Sequence, residues 1–237
     1  MKFSVVIPAR DEESLIGRCL ESIRAAAEPY PGEVEIVVVA NRCRDRTEEI
    51  ARSHGVVVVR HQGKCLAAIR NAGVAASRGE IIATIDADSV AKPNLLTEID
   101  KALQSGKYIG GGVPVIAERF SLGILMSGLA IMLYLASRGL RSAGVFWCYR
   151  RDFDAVGGFD ESVLMAEDVD FACRLKAYGK KQGKRFGTLS KSPIRTSCRK
   201  FDRFGDWFVF RQPSLIKKMV KGQDAETANR YWYDTER

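Results

Sequence analysis

The chain has 237 residues, 46% of them hydrophobic, and a formal net charge of +8 from 37 Lys and Arg against 29 Asp and Glu. This composition suits one folded core with a small appended segment and excludes a disordered chain. Six cysteines stand singly at Cys19, Cys43, Cys65, Cys148, Cys173 and Cys198, with no CxxC pair and only two histidines, which excludes a zinc centre or a disulfide framework.

Met1 leads straight into FSVVIP, with no basic stretch and no long apolar core of a secretory signal. A reducing, cytoplasmic setting is therefore expected. Alternation of strand and helix follows. FSVVIP is a short apolar run stopped by Pro8, after which Leu15, Ile16, Cys19, Leu20 and Ile23 recur at helical spacing. EIVVVA is a second strand, and Asp45 can cap the next helix with Glu48 three residues on. VVVVR at 56–60, the helical KCLAAIRNAGVAAS and the strand EIIATI continue the pattern. Strands this apolar, separated by helices, predict an α/β fold with a mostly parallel central sheet and helices on both faces.

Ligands in such sheets bind beyond the carboxyl ends of the strands. The segments to inspect are thus Ala9 to Glu12, Asn41 to Arg44, His61 to Lys64 and Asp86 to Asp88. Beyond residue 90 the pattern predicts a helix over LLTEIDKAL and one strand over YIGGGVPVI, whose glycines would admit a ligand closely. It then gives a strand over GVFWCY, a short helix over RRDFDAV ended by Gly157 and Gly158, and an amphipathic helix over EDVDFACRLKAYG.

Two segments stand apart. Residues 120–137, FSLGILMSGLAIMLYLAS, carry no charge and lie between Arg119 and Arg138. Such a helix just reaches the lower limit for a bilayer span, about 17–20 residues. Motifs that belong to one site lie on both sides of it, so a core-packed or interfacial helix is expected. The second is basic: from Arg174 to Lys221 fifteen Lys or Arg face only Asp202 and Asp206. This stretch suits a phosphate-bearing or anionic lipid partner, and without a recognisable reading module it does not suggest nucleic acid.

Asp86 and Asp88 end a buried strand one residue apart, where like charges need a cation or donors. Hard divalent cations such as Mg²⁺ or Mn²⁺ take carboxylate oxygens and complete their shell with phosphates. The ordered segments SVVIPARDEE, NRCRDRTEEIA, RNAGVAASRGEIIATIDADS, GGFDE and AEDVDFACRLKAYG resemble those of family 2 glycosyltransferases with the GT-A fold, over residues 4 to about 180.

The resemblance implies inverting, metal-dependent transfer of a sugar from a nucleotide diphosphate sugar to an acceptor hydroxyl. It implies that Asp88 ligates the metal, Mn²⁺ or Mg²⁺, and that Asp86 contacts the metal or the ribose. Asp168 becomes the general base and Glu167 orients the acceptor. Pro8, Ala9, Arg10, Glu12, Asn41, Lys64, Arg70 and Ala87 fall at or beside the nucleotide. Residues 1–90 form the nucleotide half, 91–180 the acceptor half and 181–237 a basic C-terminal segment.

The pattern departs from the family in two places. Arg10 replaces a usual aromatic, and Asn41 replaces a usual aspartate, so the motif does not define the base. A Q-x-x-R-W motif is absent, which argues for single additions. Basic residues near the end, Lys184, Arg185, Arg195, Arg199, Lys200 and Arg203, could clamp the diphosphate or meet a phosphorylated or lipid-linked acceptor at the inner face of a membrane. Two other readings stay open: a sugar nucleotidyltransferase, and a non-catalytic module that binds nucleotide-sugar or membrane.

Overall fold

The structure is a computed structural model and describes residues 1–142 and 144–211. Chain order gives β1 (Phe3–Ala9), α1 (Ile16–Ala27), β2 (Val34–Asn41), α2 (Thr47–Ser53), β3 (Val57–His61), α3 (Leu66–Ala75), β4 (Ile81–Thr84), β5 (Ser89–Val90) and α4 (Leu95–Gln104). The second half holds β6 (Tyr108–Val113), β7 (Val115–Ala117), α5 (Leu122–Ser137), β8 (Gly144–Tyr149), α6 (Arg150–Ala155), α7 (Glu167–Lys181), β9 (Arg185–Thr188), β10 (Ile194–Thr196), α8 (Arg199–Phe204) and α9 (Phe208–Arg211).

The main sheet has seven strands in the order β3-β2-β1-β4-β8-β6-β9. Only β8 runs against its neighbours β4 and β6; the other pairings are parallel. Period-two alternation explains how one sheet feeds two cores. Phe3, Val5 and Ile7 of β1 face a core with Ile16, Leu20 and Ile23 of α1 and Leu96 and Ile99 of α4. Val6, with Val39, Ile82 and Phe146, faces the other core, built with α3 and α7 through Ile69, Val74, Phe171 and Leu175. The helices are therefore held on both faces, as the apolar strands predicted.

The helix α3 packs so closely that a Cβ on Gly73 would overlap Val6 and lie 2.7 Å from a Val39 methyl. The asparagine two residues earlier, Asn71, donates to the Phe159 carbonyl and accepts from the Phe159 N–H, both at 2.9 Å. The RNAG and GGFDE motifs are thus tied together by a two-way hydrogen bond.

Two features differ from expectation, and a third was left open by it. The single strand foreseen over 108–116 is split at Pro114, which lacks the N–H a ladder needs: β6 stays in the main sheet, and β7 joins a separate three-stranded sheet ordered β5-β10-β7. The glycines of β6 admit protein rather than ligand, since a Cβ on Gly110 would lie 2.5 Å from the Trp147 carbonyl. The apolar helix α5 is not core-packed: it buries Gly123, Ile124, Ser127 and Leu135, while Leu125, Met132 and Leu133 are more than half exposed. No described helix is long and apolar enough to cross a membrane. Beyond residue 180, β9 completes the edge of the main sheet and β10 builds the small one; residues 212–237 of the expected basic segment lie outside the described residues.

Gly73 and Gly128 form a contrasting pair, because nothing lies within 4 Å of a Cβ on Gly128 of α5. Gly73→Ala is expected to destabilise the fold by about 1–3 kcal/mol through overpacking. Gly128→Ala is expected to stabilise it by about 0.5–1 kcal/mol through helix propensity. Urea denaturation midpoints of the two variants check both signs.

Candidate active site

The residues expected at the nucleotide, the metal and the acceptor sit at or beyond the carboxyl ends of β1 to β4 or on α3 and α7. Of the six basic candidates, Lys184 and Arg185 lie at the start of β9, Arg195 in β10, and Arg199, Lys200 and Arg203 in α8. The backbone around the strand ends is strained. The described non-glycine residues with left-handed φ are Asp11 (48°), Arg42 (51°), Val145 (31°) and Ala166 (56°). Asp11 and Arg42 follow β1 and β2, and Ala166 immediately precedes α7. Val145, a β-branched residue for which this conformation is most costly, lines the cavity that holds Asp86 and Asp168.

Arg70 is the link across this cavity. Its guanidinium, 7% exposed, donates from Nη2 to Asp86 Oδ1 at 2.9 Å and from Nη1 to Glu167 Oε1. Its face lies 5.4 Å from the Phe159 ring centroid, and Asp168 lines the same cavity with Arg70, Thr84, Asp86, Ser89, Phe146 and Thr196. Residues from α3, the end of β4 and the first turn of α7 thus meet at one point, although Asp86 and Asp168 stand far apart in the chain.

Burial pushes the Glu167 carboxyl up to about 7; Arg70 opposes the rise and the Asp168 charge adds to it. Burial raises Asp168 as well, against Arg70 and the N–H of Val169, which donates to Asp168 Oδ1 at 2.7 Å. Glu167, Asp168 and Asp170 all occupy the first turn of α7, where the helix dipole favours negative charge.

Asp88 has its own shell. Its carboxylate accepts from Ser197 Oγ at 2.8 Å and from Thr196 Oγ1 at 3.3 Å, and Arg199 approaches at 3.5 Å. Arg199 also pairs with Glu12 at 2.8 Å; the Glu12 side chain is 3% exposed. The small sheet creates this shell: Thr196 of β10 pairs with Ser89 of β5, and the Ser197 N–H donates to the Asp88 carbonyl at 3.1 Å. Thr196 and Ser197 were not foreseen as site residues. Arg199 was one of six basic candidates, and no feature of the sequence separated it from the rest.

Apart from Arg70 on α3, the residues expected beside the nucleotide lie at or just beyond the ends of β1 to β4. Pro8, Ala9 and Ala87 are buried, and Arg10 is buried with its Nε 3.8 Å from Asp11. Asn41 is 2% exposed and donates through Nδ2 to the carbonyls of His61 and Gly63, both at 2.9 Å. Carbonyls only accept, so the amide nitrogen must face them and Oδ1 must point the other way. Lys64 lies next to Gly63 on an exposed loop.

The donors around Asp86 and Asp88 are carboxylates and hydroxyls, the oxygen set that suits a hard cation completed by phosphate oxygens. The described cluster of three ligand groups close enough to share an ion lies elsewhere, at Asp11, Cys43 and Asp45. Its carboxylates are engaged by backbone: Asp11 accepts from the Arg44 N–H at 2.7 Å, and Asp45 from the N–H groups of Glu13 and Thr47 at 2.9 and 3.0 Å.

The profile of glycosyl transferase family 2 matches residues 4–159, more than half of the chain. The chain belongs to that family. A low-salt glycan biosynthesis hexosyltransferase, Agl6 of Haloferax volcanii, is 33% identical over 142 residues, covering 54% of this chain and 34% of that protein. An undecaprenyl-phosphate 4-deoxy-4-formamido-L-arabinose transferase of Pseudomonas paraeruginosa is 32% identical over 117 residues, covering 45% of this chain and 34% of that protein. The chain therefore spans about a third of the length of these relatives.

Among solved structures, Staphylococcus aureus TarS 1-349 in complex with UDP-GlcNAc superposes with a TM-score of 0.65 at 17% identity, covering 97% of this chain and 69% of that one. Glucosyl-3-phosphoglycerate synthase from Mycobacterium tuberculosis, in complex with Mn²⁺, UDP and phosphoglyceric acid, gives 0.61 at 21% identity, covering 94% and 79%. The fold is GT-A, as the resemblance implied.

Two outcomes follow from the Arg70 bridge. Arg70→Met is expected to destabilise the protein by about 3–5 kcal/mol, because it leaves a buried carboxylate without its cation; chemical denaturation measures this. Glu167 rises from an ordinary 4.5 to about 7 on folding, so its contribution to stability is full below pH ~4.5 and is lost as pH climbs through ~7. Between pH 5 and 8 the wild-type melting temperature should therefore fall relative to Glu167→Gln, as thermal melts in matched buffers would show.

Proposed function

We propose that this domain transfers one sugar at a time from a nucleoside diphosphate sugar to an acceptor hydroxyl, with inversion at the anomeric carbon and the help of Mn²⁺ or Mg²⁺. The observation that carries the reading is the Arg70 bridge. It holds the strand-end carboxylate of Asp86 and the first turn of α7 around one cavity.

The base would lie against Pro8 and Ala9. Asn41, its nitrogen committed to two carbonyls, offers Oδ1 as acceptor for a ring N–H, the role an aspartate would fill. Uracil presents such an N–H, and the TarS and glucosyl-3-phosphoglycerate synthase structures contain UDP-GlcNAc and UDP. Arg10, Glu12, Lys64 and Ala87 would complete the nucleotide wall.

Asp88 and Asp86 would hold the divalent cation, which when bound acts as a Lewis acid toward the leaving diphosphate. Arg199, already within 3.5 Å of Asp88, adds positive charge on the same side. On the opposite side Asp168 accepts the proton of the acceptor hydroxyl as that oxygen forms its bond to the anomeric carbon. The bond from that carbon to the phosphate oxygen breaks, and the electron pair leaves with the nucleoside diphosphate. Glu167, locked by Arg70, holds the acceptor's orientation.

A phosphate-bearing, lipid-linked acceptor is supported by the basic stretch after Arg174 and by the polyprenyl-phosphate substrate in the name of the Pseudomonas relative. That acceptor would keep the domain at a membrane surface.

The test uses UDP-glucose and UDP-GlcNAc with Mn²⁺ and water as acceptor, with released UDP as the readout. Asp168→Asn is expected to lower turnover by ~10²–10⁴ with little change in UDP affinity. Wild-type turnover should decline on the acid side as Asp168 takes up its proton, beginning above the ordinary aspartate range because burial raises that group. Unchanged turnover in Asp168→Asn would remove Asp168 from the role of base, and nucleotide-sugar binding with no UDP release by the wild type would leave a non-catalytic module.

A further inference from the structure

The helix α5 presents an apolar surface outward. Leu122, Leu125, Met126, Leu129, Met132 and Leu133 recur at three- and four-residue intervals and form one stripe along the helix, with exposures from 37% at Met126 to 65% at Leu133. Phe120, just ahead of the helix, is 81% exposed. The opposite face is anchored: a Cβ on Gly123 would lie 2.6 Å from the Asp206 carbonyl, and Leu135 belongs to the core with Phe146 and Phe171. Monomeric proteins seldom leave a contiguous apolar patch of this kind open without a partner.

The surroundings of the stripe indicate the partner. Arg119 reaches both Asp202 and Asp206, at 2.7 and 2.6 Å, and ties the start of α5 to the α8–α9 segment. Trp207 and Phe210 of that segment are 40% and 41% exposed. Lys200, Arg203 and Arg211 are exposed in the same segment, and Arg138 and Arg141 are exposed just past the other end of the helix. Arg119, Lys200, Arg203 and Arg211 outnumber Asp202 and Asp206 here, so the stripe has net positive charge at both ends. Two copies meeting antiparallel across this face would bring those like charges together. Anionic headgroups would neutralise them, while aromatic side chains suit the boundary between headgroups and acyl chains.

We propose that α5, with Trp207 and Phe210, is a docking face for a bilayer containing anionic phospholipid. The helix, about 24 Å long at 1.5 Å per residue, lies in the plane of the interface with its stripe among the acyl chains. Upstream of α5, Val115 and Ile116 of β7 are also exposed, at 46% and 48%, and Val115 lines the cavity of Asp86 and Asp168. Delivery of a lipid-linked acceptor along this surface rests on the transferase reading; docking itself does not.

The experiment is co-sedimentation of the full chain with phosphatidylcholine vesicles, with and without about a third phosphatidylglycerol, at rising salt. The expected result is binding to the phosphatidylglycerol vesicles that weakens with salt and is much weaker on phosphatidylcholine alone. Leu125→Glu/Met132→Glu/Leu133→Glu, all at exposed positions, should lower binding at least tenfold with unchanged melting temperature and unchanged UDP release to water. Arg138→Gln/Arg141→Gln should lower it severalfold. Absence of vesicle binding, or equal binding by the wild type and the triple variant, overturns the proposal. So does a dimer in sedimentation velocity that the triple variant abolishes while vesicles go unbound, since a second copy then covers the face. Vesicle binding without UDP release would defeat the transferase reading alone, and UDP release without vesicle binding would defeat docking alone.

Discussion

One buried guanidinium holds the two halves of the site together. Arg70 contacts Asp86 at the end of β4 and Glu167 at the start of α7, and neither contact could form if α3 stood off the sheet. Close packing at Gly73 lets α3 approach. The neighbouring Asn71 fixes Phe159, over whose ring the Arg70 guanidinium lies. A buried arginine is costly to desolvate, and its cost is offset only when its carboxylates have good geometry. Arg70 therefore requires Asp86 and Glu167 to stay in place, and fold and site constrain each other through one side chain.

The strained backbone belongs to the same economy. Left-handed residues without glycine's freedom cost of order 1–3 kcal/mol each, and among the described residues they gather around the strand ends. Ala166 turns the chain so that Glu167 and Asp168 open α7 at its positive dipole end. The large apolar core beneath supplies the stability that such positions consume. Elsewhere, at Gly157, Gly158 and Gly183, positive φ is taken by glycine.

Much of this could be read from the sequence, for physical reasons that differ by element. The strands FSVVIP, EIVVVA and EIIATI are continuous apolar runs, so their burial on both faces and their direction followed from composition and spacing. Asp86 stood out because it follows a buried apolar strand, whereas the role expected of Asp168 came from the resemblance of AEDVDFACRLKAYG to the family's motif. The small sheet was not legible: strands of two or three residues such as β5 and β10 carry no periodicity. With it went the recruitment of Thr196, Ser197 and Arg199 to Asp88. The same holds for α5, where every position is apolar or small and the pattern carries no information about which side faces outward. The role of Pro114 was visible in principle, because a proline within a strand-like run marks an edge or a break.

In the proposed reaction Asp168 acts as a base although it stands beside another carboxylate, Glu167. Desolvation raises Asp168, and the neighbouring charge of Asp86 adds to the rise. Arg70, the N–H of Val169 and the dipole of α7 act in the opposite sense. A general base works best when it is ionised yet still holds a proton firmly enough to take one from a hydroxyl. Arg70 thus opposes the rise that burial gives Asp168. The cation that joins the two halves of the site thereby also favours the ionised form that the proposed base needs.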